Sequence, residues 1–578
     1  MGPVDIAERT AAPGDVAPSR RPGRAFLAVA ALVVAYLALS FLNDHRGYLG
    51  TDTGGKVATL RAMERAGTLV PDVGYWAERW DPEGALHPLH YTNHIGDRWV
   101  NVTTLPALYL GYPLFRLAGY QGALLVPMLG AAFTALAARA LVRRLTGPDE
   151  RAGWLAFWLV GLASPVTIYA LDFWEHAVGL AMVAWAVVLL LDLLHSRRGL
   201  TAAAGAGLLL GSAATMRTEA LVYAAVATGV TCLLLAARTR DLTRPALAGV
   251  AVVAGLALPL VGNHALEGAV LGSGLRADRA TATVTDAPTT DGTRVNEAML
   301  TATALHATLQ PSSYAVGAAL LALLVLFALQ ASRGQAGARA ARVAAAGAAA
   351  LYLVRATAGL GFVPGLMAAT PLAAVGLALG WRRHGAGTER SPSAYDARPV
   401  LAVALLALPL VWAFQFTGGA GPQWAGRYIL PSGLLLGVVG IARLRLLARW
   451  ARLALVGTAA AVTCFGLAWL SVRSHDVART VQALTDRPEP VLVSKVAHLA
   501  REGGWFAADH RWLTALSTPE QARAAHVVSS AGFDTFALVE IADGDPVPPV
   551  PGWSVVGSDT LRYFSGVDLR ITTFERTA

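Results

Sequence analysis

Lysine is nearly missing from this chain. Of 47 basic residues among 578, only Lys56 and Lys495 are not arginine, a skew we read as base-composition bias in the gene. Cysteine is as scarce: Cys232 and Cys464 both fall inside apolar runs, which argues against a disulfide framework and leaves them as packing residues. Charge is thin too. Charged residues make up 15% of the chain against 55% hydrophobic, and the mean hydropathy of +0.48 is too high for an ordinary soluble enzyme. The chain also lacks H-E-x-x-H, zinc-ligand spacing, an EF-hand loop and G-x-S-x-G, so none of those chemistries directs the search.

What the chain has in quantity is apolar runs long enough to cross a bilayer. About thirteen are expected, centred near Val33, Gly130, Val160, Trp185, Leu208, Thr228, Ala254, Leu323, Ala350, Ala369, Leu405, Leu436 and Ala460. The net charge of +9 would raise the question of nucleic acid in a soluble chain. Here the arginines collect in alternate short loops, such as Arg143, Arg144 and Arg151 or Arg238, Arg240 and Arg244, where they orient a membrane protein. No nucleic-acid partner is expected. The arginine bias predicts a cytoplasmic tail over residues 1–23, a membrane domain over 24–472 and an outer domain over 473–578 in a plasma-membrane, multi-pass chain. Arg9, Arg20, Arg21 and Arg24 precede the first run, but no small-x-small cleavage site follows Leu42, so that run reads as a retained anchor.

The segment Gly199 to Ala237 is nearly twice the length one span needs, which predicts a hairpin turning at Arg217-Thr218-Glu219. The first outer loop, residues 43–120, scatters Trp76, Trp80, Trp99, Tyr75, Tyr91, Tyr109 and Tyr112 among charges, a pattern for helices lying in the membrane interface. Val102 to Ala118, broken by Pro106 and Pro113, is expected to be interfacial or re-entrant. After Arg473 the composition becomes that of a small α/β domain. Val491-Leu492-Val493 and Phe536 to Val539 read as buried strands, and Asp476 to Ala483 and Pro519 to Ala525 as helices. Its His510 and His526 read as surface or packing residues, and the domain is assigned a supporting role.

Chemistry-bearing residues gather at the ends of the runs. Gly50 to Lys56 spells G-x-x-x-x-G-K, but Val57 stands where a P-loop needs Ser or Thr and no buried strand precedes it. A helix capped by Thr51 or Asp52 and running through Val57, Leu60 and Met63 fits better, with Asp52 and Lys56 one turn apart. Asp172-Phe173-Trp174-Glu175-His176 joins two spans in a turn too short to be solvated. Charges at such a boundary are costly and usually functional, although capping of the next helix is the plainer role. Arg217 and Glu219 tip the hairpin and could simply pair with each other or with Glu175. Arg427 follows a glycine-rich stretch from Gly418, where a planar, permanent cation suits phosphate and snorkelling is the alternative. His87, His90 and His94 share one loop, but Pro88 spoils helical spacing, so hydrogen bonding is expected before metal binding. Asn101-Val102-Thr103 matches a glycosylation sequon of the kind chance produces.

In order and placement these motifs resemble the GT-C superfamily of integral-membrane glycosyltransferases, closest in style to its protein mannosyltransferase-like and arabinosyltransferase-like members. The features that carry the resemblance are the first-loop acid, the Glu-His turn after the third span, the Arg-x-Glu hairpin tip and the G-G...G-R-Y-x-L-P segment. It implies an α-helical polytopic membrane protein, a GT-C-like bundle of about thirteen transmembrane helices with a small C-terminal α/β extracytoplasmic domain. It also implies an inverting glycosyltransferase, moving a hexose or pentose from a polyprenyl-phosphate donor to a hydroxyl on a glycan, lipid or protein acceptor at the outer face of the membrane. Asp52 would be the general base and Arg427 the phosphate contact, with Lys56, Glu175, His176, Arg217 and Glu219 around the substrate. The superfamily often has two adjacent acids where this chain has Asp52-Thr53, which keeps Asp44, Asp72 and Asp81 as alternative bases. No cofactor is required and no divalent metal is indicated. The rival is a polytopic lipid or solute transporter or flippase, against which stands the lack of a hydropathy repeat between halves.

Overall fold

A backbone surrounded by hydrocarbon must satisfy its own N–H and C=O groups within the segment, so the apolar runs fold as helices. The computed structural model describes residues 22–577 except 49, 102–103, 148, 196–198, 273–310, 358–362, 383–393, 415–423, 543–546, 548 and 564–566. Residues 1–21 of the expected N-terminal tail and the Gly418 to Gln423 part of the glycine-rich stretch therefore lie outside the described residues.

Helix α1 (Pro22–Ser40) leads to α2 (Thr51–Ala66) and a hairpin of β1 (Thr92–Ile95) and β2 (Arg98–Asn101). The bundle continues with α3 (Leu105–Ala123), α4 (Leu125–Thr146), α5 (Glu150–Leu162), the short α6 (Pro165–Tyr169), α7 (His176–Leu194), α8 (Leu200–Met216), α9 (Ala220–Thr239) and α10 (Thr243–Leu271). Then come α11 (Pro311–Ala331), α12 (Ala338–Ala356), α13 (Leu366–Ala369), α14 (Pro371–Leu379), α15 (Arg398–Phe414), α16 (Leu430–Arg443) and α17 (Arg449–Thr485). Each of the expected span centres falls on one of these helices. Among the described residues, 7 helices are long and apolar enough to cross a membrane, and three shorter apolar helices of 10–17 residues accompany them. The turn at Arg217-Thr218-Glu219 is present, between α8 and α9. Val102 to Ala118 is largely helical: α3 accommodates Pro113 and kinks at Ala118 and Gly119.

Small residues let the helices approach closely, the usual means of packing where lipid removes the hydrophobic drive between them. A Cβ at Gly207 of α8 would lie 2.0 Å from the Val252 carbonyl oxygen of α10, so only glycine fits that crossing. The bundle has two chemically distinct ends. Glu175 precedes α7, while Asp192 near its other end takes a bidentate pair from Arg144 at 2.7 and 2.6 Å. At 1.5 Å per residue the two acids are about 25 Å apart along the helix. The arginine-rich loops thus sit opposite the Asp52 end.

The C-terminal domain is a five-stranded sheet of β3 (Val491–Ser494), β4 (Arg511–Thr514), β5 (Thr535–Ile541), β6 (Trp553–Arg562) and β7 (Asp568–Arg576), in the order β4-β3-β5-β7-β6. β3 pairs in parallel with β4 and β5, and β7 is antiparallel to β5 and β6. Helices α18 (Leu499–Glu502) and α19 (Thr518–Ser530) complete it. The strands and α19 match expectation, but Asp476 to Ala483 is not a separate helix. It is the end of α17, which runs unbroken through residue 473 and lays Val477, Val481 and Leu484 against Leu492, Trp512 and Ala537. Membrane bundle and domain are joined by a rigid helix rather than a linker.

The other face of the sheet changes the account of the first outer loop. Tyr75, Leu86 and Trp99 share a core with Val491, Val493, Leu513 and Val528, and Trp76 donates its indole N–H to the Trp512 carbonyl at 2.9 Å. Tyr75 and Trp99 are thus buried against the domain, with Trp76 and Trp80 partly buried beside them, and the large apolar area of such rings makes them dominant in a packed core.

Candidate active site

Asp52 lies in the first turn of α2, whose N-cap is Gly50 with extended backbone and no side-chain cap. The expected cap by Thr51 or Asp52 is therefore not formed, and both side chains are left for other work. Thr53 donates its hydroxyl to Asp172 Oδ2 at 2.6 Å, and Tyr120 donates to Asp172 Oδ1 at 3.0 Å. That buried acid pins the start of α2 to the turn before α7. Lys56, one turn on, does not pair with Asp52 as its spacing suggested. It is buried and donates to Glu175 Oε2.

Glu175 is the hub of a chain of ions. Its other oxygen accepts from Arg217 Nη1 at 3.2 Å, and Arg217 Nε donates to Glu219 Oε1 at 2.9 Å. His176 is also buried there, stacked on Tyr169 and tilted against Trp174. The internal pairing of Arg217 expected on plain grounds is thus real, with both named partners.

Arg427 reaches the same place from the far end of the sequence. Ala425 and Gly426 both have left-handed backbone, with φ of 58° and 63°, and such strain in a non-glycine residue persists only where surroundings enforce it. The pair turns the chain so that Arg427 points across the bundle. Its Nη1 donates to Asp52 Oδ2 at 2.9 Å, its Nη2 donates to the Tyr428 hydroxyl, and its guanidinium lies 5.4 Å from the Trp174 ring centre. Two cations lie against the Tyr428 ring: Arg427 is 4.4 Å and Arg217 5.1 Å from its centre, distances at which the ring quadrupole attracts both.

A further group belongs to this cluster. Arg501, on α18 of the C-terminal domain, is 2% exposed and stands 3.4 Å from Asp52 Oδ1, while its guanidinium covers the Tyr91 ring at 5.1 Å. The domain assigned a supporting role so contributes a side chain to the centre of the site. Nothing in residue spacing marks Arg501, but the Gly503-Gly504 step just after it is a trace of the close approach. A Cβ at Gly504 would fall 1.8 Å from the Gly54 carbonyl oxygen, and one at Gly54 falls 1.8 Å from that of Arg501. The β1–β2 hairpin closes the other side, with Asn101 buried against Gly55 and bonded to Thr92 at 2.9 Å. That amide is inaccessible to glycosylation.

Of this cluster Asp52 is the open member, with 31% of its side chain exposed against 8% for Arg427. Burial raises its pKa, but Arg427, Arg501, Lys56 and Arg217 outweigh that and hold the carboxyl below its ordinary value. Nearby, burial followed by Arg501 lowers His498, and burial followed by His498 and Arg501 lowers His90 to about 4, so both rings are neutral at pH 7. The alternative bases stand elsewhere. Asp44 is held by Arg46 at 3.0 Å, Asp81 is buried between Tyr75 and Arg523, and Asp72 accepts from the backbone N–H groups of Gly74 and Trp99.

Two small hollows lie near the cluster. One is lined by His176, Arg217, Glu219 and Arg427 among others. The second is almost wholly apolar, lined by residues such as Val166, Leu366 and Leu434. Leu180 and Leu430 line both, so the apolar hollow lies beside the charged one.

No protein-family model and no curated protein matches the chain. Among solved structures it is similar to ArnT from Cupriavidus metallidurans bound to undecaprenyl phosphate, at 12% identity and a TM-score of 0.49 over 96% of this chain and 98% of that one. The same protein in its apo state gives 14% identity and 0.43, over 95% and 98%. An Archaeoglobus fulgidus oligosaccharyltransferase in complex with Zn and sulfate gives 13% identity and 0.45, over 88% of this chain and 67% of that one.

Proposed function

We infer that this chain is a membrane glycosyltransferase that moves a sugar, hexose or pentose, from a polyprenyl-phosphate donor to a hydroxyl acceptor, with inversion and with Asp52 as general base. The observation that carries the proposal is a pair of guanidiniums, Arg427 and Arg217, lining one hollow with an apolar hollow beside it across Leu180 and Leu430, next to the partly exposed Asp52 carboxylate. The lipid phosphate lies against Arg427 and Arg217, and its prenyl tail enters the apolar side. As the bond from the sugar carbon to the phosphate oxygen breaks, charge grows on an oxygen that these cations already face, so little proton donation is needed. The acceptor hydroxyl attacks from the opposite side of the sugar and gives its proton to Asp52, which inverts the carbon. Glu175, bridging Lys56 and Arg217, keeps the cations in place; Glu219 and His176 shape the chamber. The topology assigned from arginine bias puts this end, with the C-terminal domain, outside the plasma membrane and the N-terminus in the cytoplasm. No metal enters the scheme.

The test is reconstitution of the full chain in vesicles containing polyprenyl-phosphate sugars labelled in the sugar, with hydroxyl acceptors added. Transfer to an acceptor that collapses in Asp52→Asn is expected. Movement of lipid or solute across the bilayer without transfer would assign the protein to transport instead.

A further inference from the structure

We propose that Arg501, delivered by the C-terminal domain, is the positioning residue that keeps Asp52 ionised and aimed once the donor has taken Arg427, so that the active site is complete only with that domain docked. This rests on Asp52 acting as the base. The two oxygens of Asp52 are divided between two guanidiniums, Arg427 at 2.9 Å and Arg501 at 3.4 Å. The two cations differ in what else they reach. Arg427 lines the charged cavity, whereas Arg501 does not; it is buried under α2, with its side chain on Tyr91.

An arriving phosphate therefore competes with Asp52 for Arg427 and not for Arg501. It also brings negative charge close to the carboxylate, which favours the protonated acid, and a protonated Asp52 is no base. The groups that face Asp52 from the packed elements are Lys56 on α2, Arg217 between α8 and α9, Arg427 and Tyr428 before α16, Tyr91 beside the β hairpin, and Arg501 and His498 of the C-terminal domain. Lys56 and Arg217 are committed to Glu175 and Glu219. That leaves Arg501 as the cation that can hold the carboxylate while Arg427 is engaged.

The backbone is built for this delivery. Gly54 and the Arg501–Gly504 segment meet so closely that either glycine would clash with the opposing carbonyl if it carried a side chain. Arg473 of α17 also donates to Glu502 Oε1 at 2.7 Å and to the Tyr48 carbonyl at 3.1 Å, tying α18 to the segment that precedes α2.

The experiment compares wild type, Arg501→Gln and Arg501→Lys in the full-length protein, with two readouts. The first is titration of the Asp52 carboxyl by infrared difference spectroscopy against Asp52→Asn, in vesicles with and without a polyprenyl phosphate. Arg501→Gln should raise the Asp52 midpoint by about one pH unit or more, further when the lipid phosphate is present, and Arg501→Lys should restore most of the shift. The second is the pH profile of sugar transfer. Loss of a cation raises the carboxyl pKa, so the acid limb should move up in pH, with the deficit largest at low pH and recovering as pH rises, and with donor KM nearly unchanged. A merely structural role would lower the rate equally at every pH. An Asp52 midpoint that is the same in wild type and in folded Arg501→Gln protein overturns the proposal. If the midpoint moves in Arg501→Gln while the acid limb of its transfer reaction stays where the wild-type limb lies, Arg501 tunes Asp52 but Asp52 is not the base, which overturns the function and leaves the positioning intact.

Discussion

Replacing Asp52 by Asn separates the two jobs that a carboxylate in this cluster could have. Asparagine is nearly isosteric but takes no proton, so loss of general-base catalysis should cut kcat by about 10²–10⁴-fold, roughly 3 to 5 kcal/mol of barrier. Donor binding should move the other way. Asp52 pairs with Arg427 at 2.9 Å. At about 4 Å between charge centres and an effective dielectric near 20, the gross attraction is about 4 kcal/mol. Because about a third of the Asp52 side chain is open to solvent, screening and desolvation leave a net value nearer 1 kcal/mol. Freeing Arg427 from that competitor should then tighten donor binding by about fivefold. The assay pairs single-turnover transfer with equilibrium binding of labelled donor in nanodiscs. A slow variant that binds donor more tightly supports the base, whereas donor affinity that falls together with rate would mean that the carboxylate holds the donor, and the assigned role is then wrong.

Other outcomes follow from the same geometry. Glu175→Gln strands buried Lys56 and Arg217 and should cost about 3–5 kcal/mol of stability, read as a lowered melting point in detergent, with Lys56→Met in the same chain recovering part of it. Arg427→Lys keeps the charge but loses the planar fork, so donor KM should rise by about tenfold with less effect on kcat. Gly54→Ala puts a methyl group 1.8 Å from the Arg501 carbonyl oxygen, which must lift the domain from α2. A displacement of that order should reduce transfer by about 10²-fold while leaving the helical bundle intact, and limited proteolysis should show a loosened C-terminal domain.

Much of the bundle was legible from hydropathy alone, since a run such as His176–Leu194 has one stable form in hydrocarbon whatever surrounds it. The hairpin at Arg217 followed from length, and β3, β5 and α19 from short apolar runs and turn residues. Errors fell where a residue's partner is distant in the chain. Lys56 looked like the partner of Asp52 because helical spacing is visible, while Glu175, 119 positions away, is not. The aromatic loop read as interfacial because its composition suits a headgroup layer as well as a sheet face, and the break after Arg473 marked a change of solvent rather than the end of a helix.

Chemical inventory and one-sidedness were settled by order along the chain: which ionisable groups end the apolar runs, and that Asp52, Glu175, Arg217 and Arg427 share one end of the bundle. Tertiary structure alone decided who pairs with whom, that two guanidiniums gather on Tyr428, that an apolar hollow adjoins the charged one, and that Arg501 arrives from the last domain. Periodicity and hydropathy are local quantities, whereas an ion pair at 2.9 Å across 375 positions depends on the packing of every helix between them.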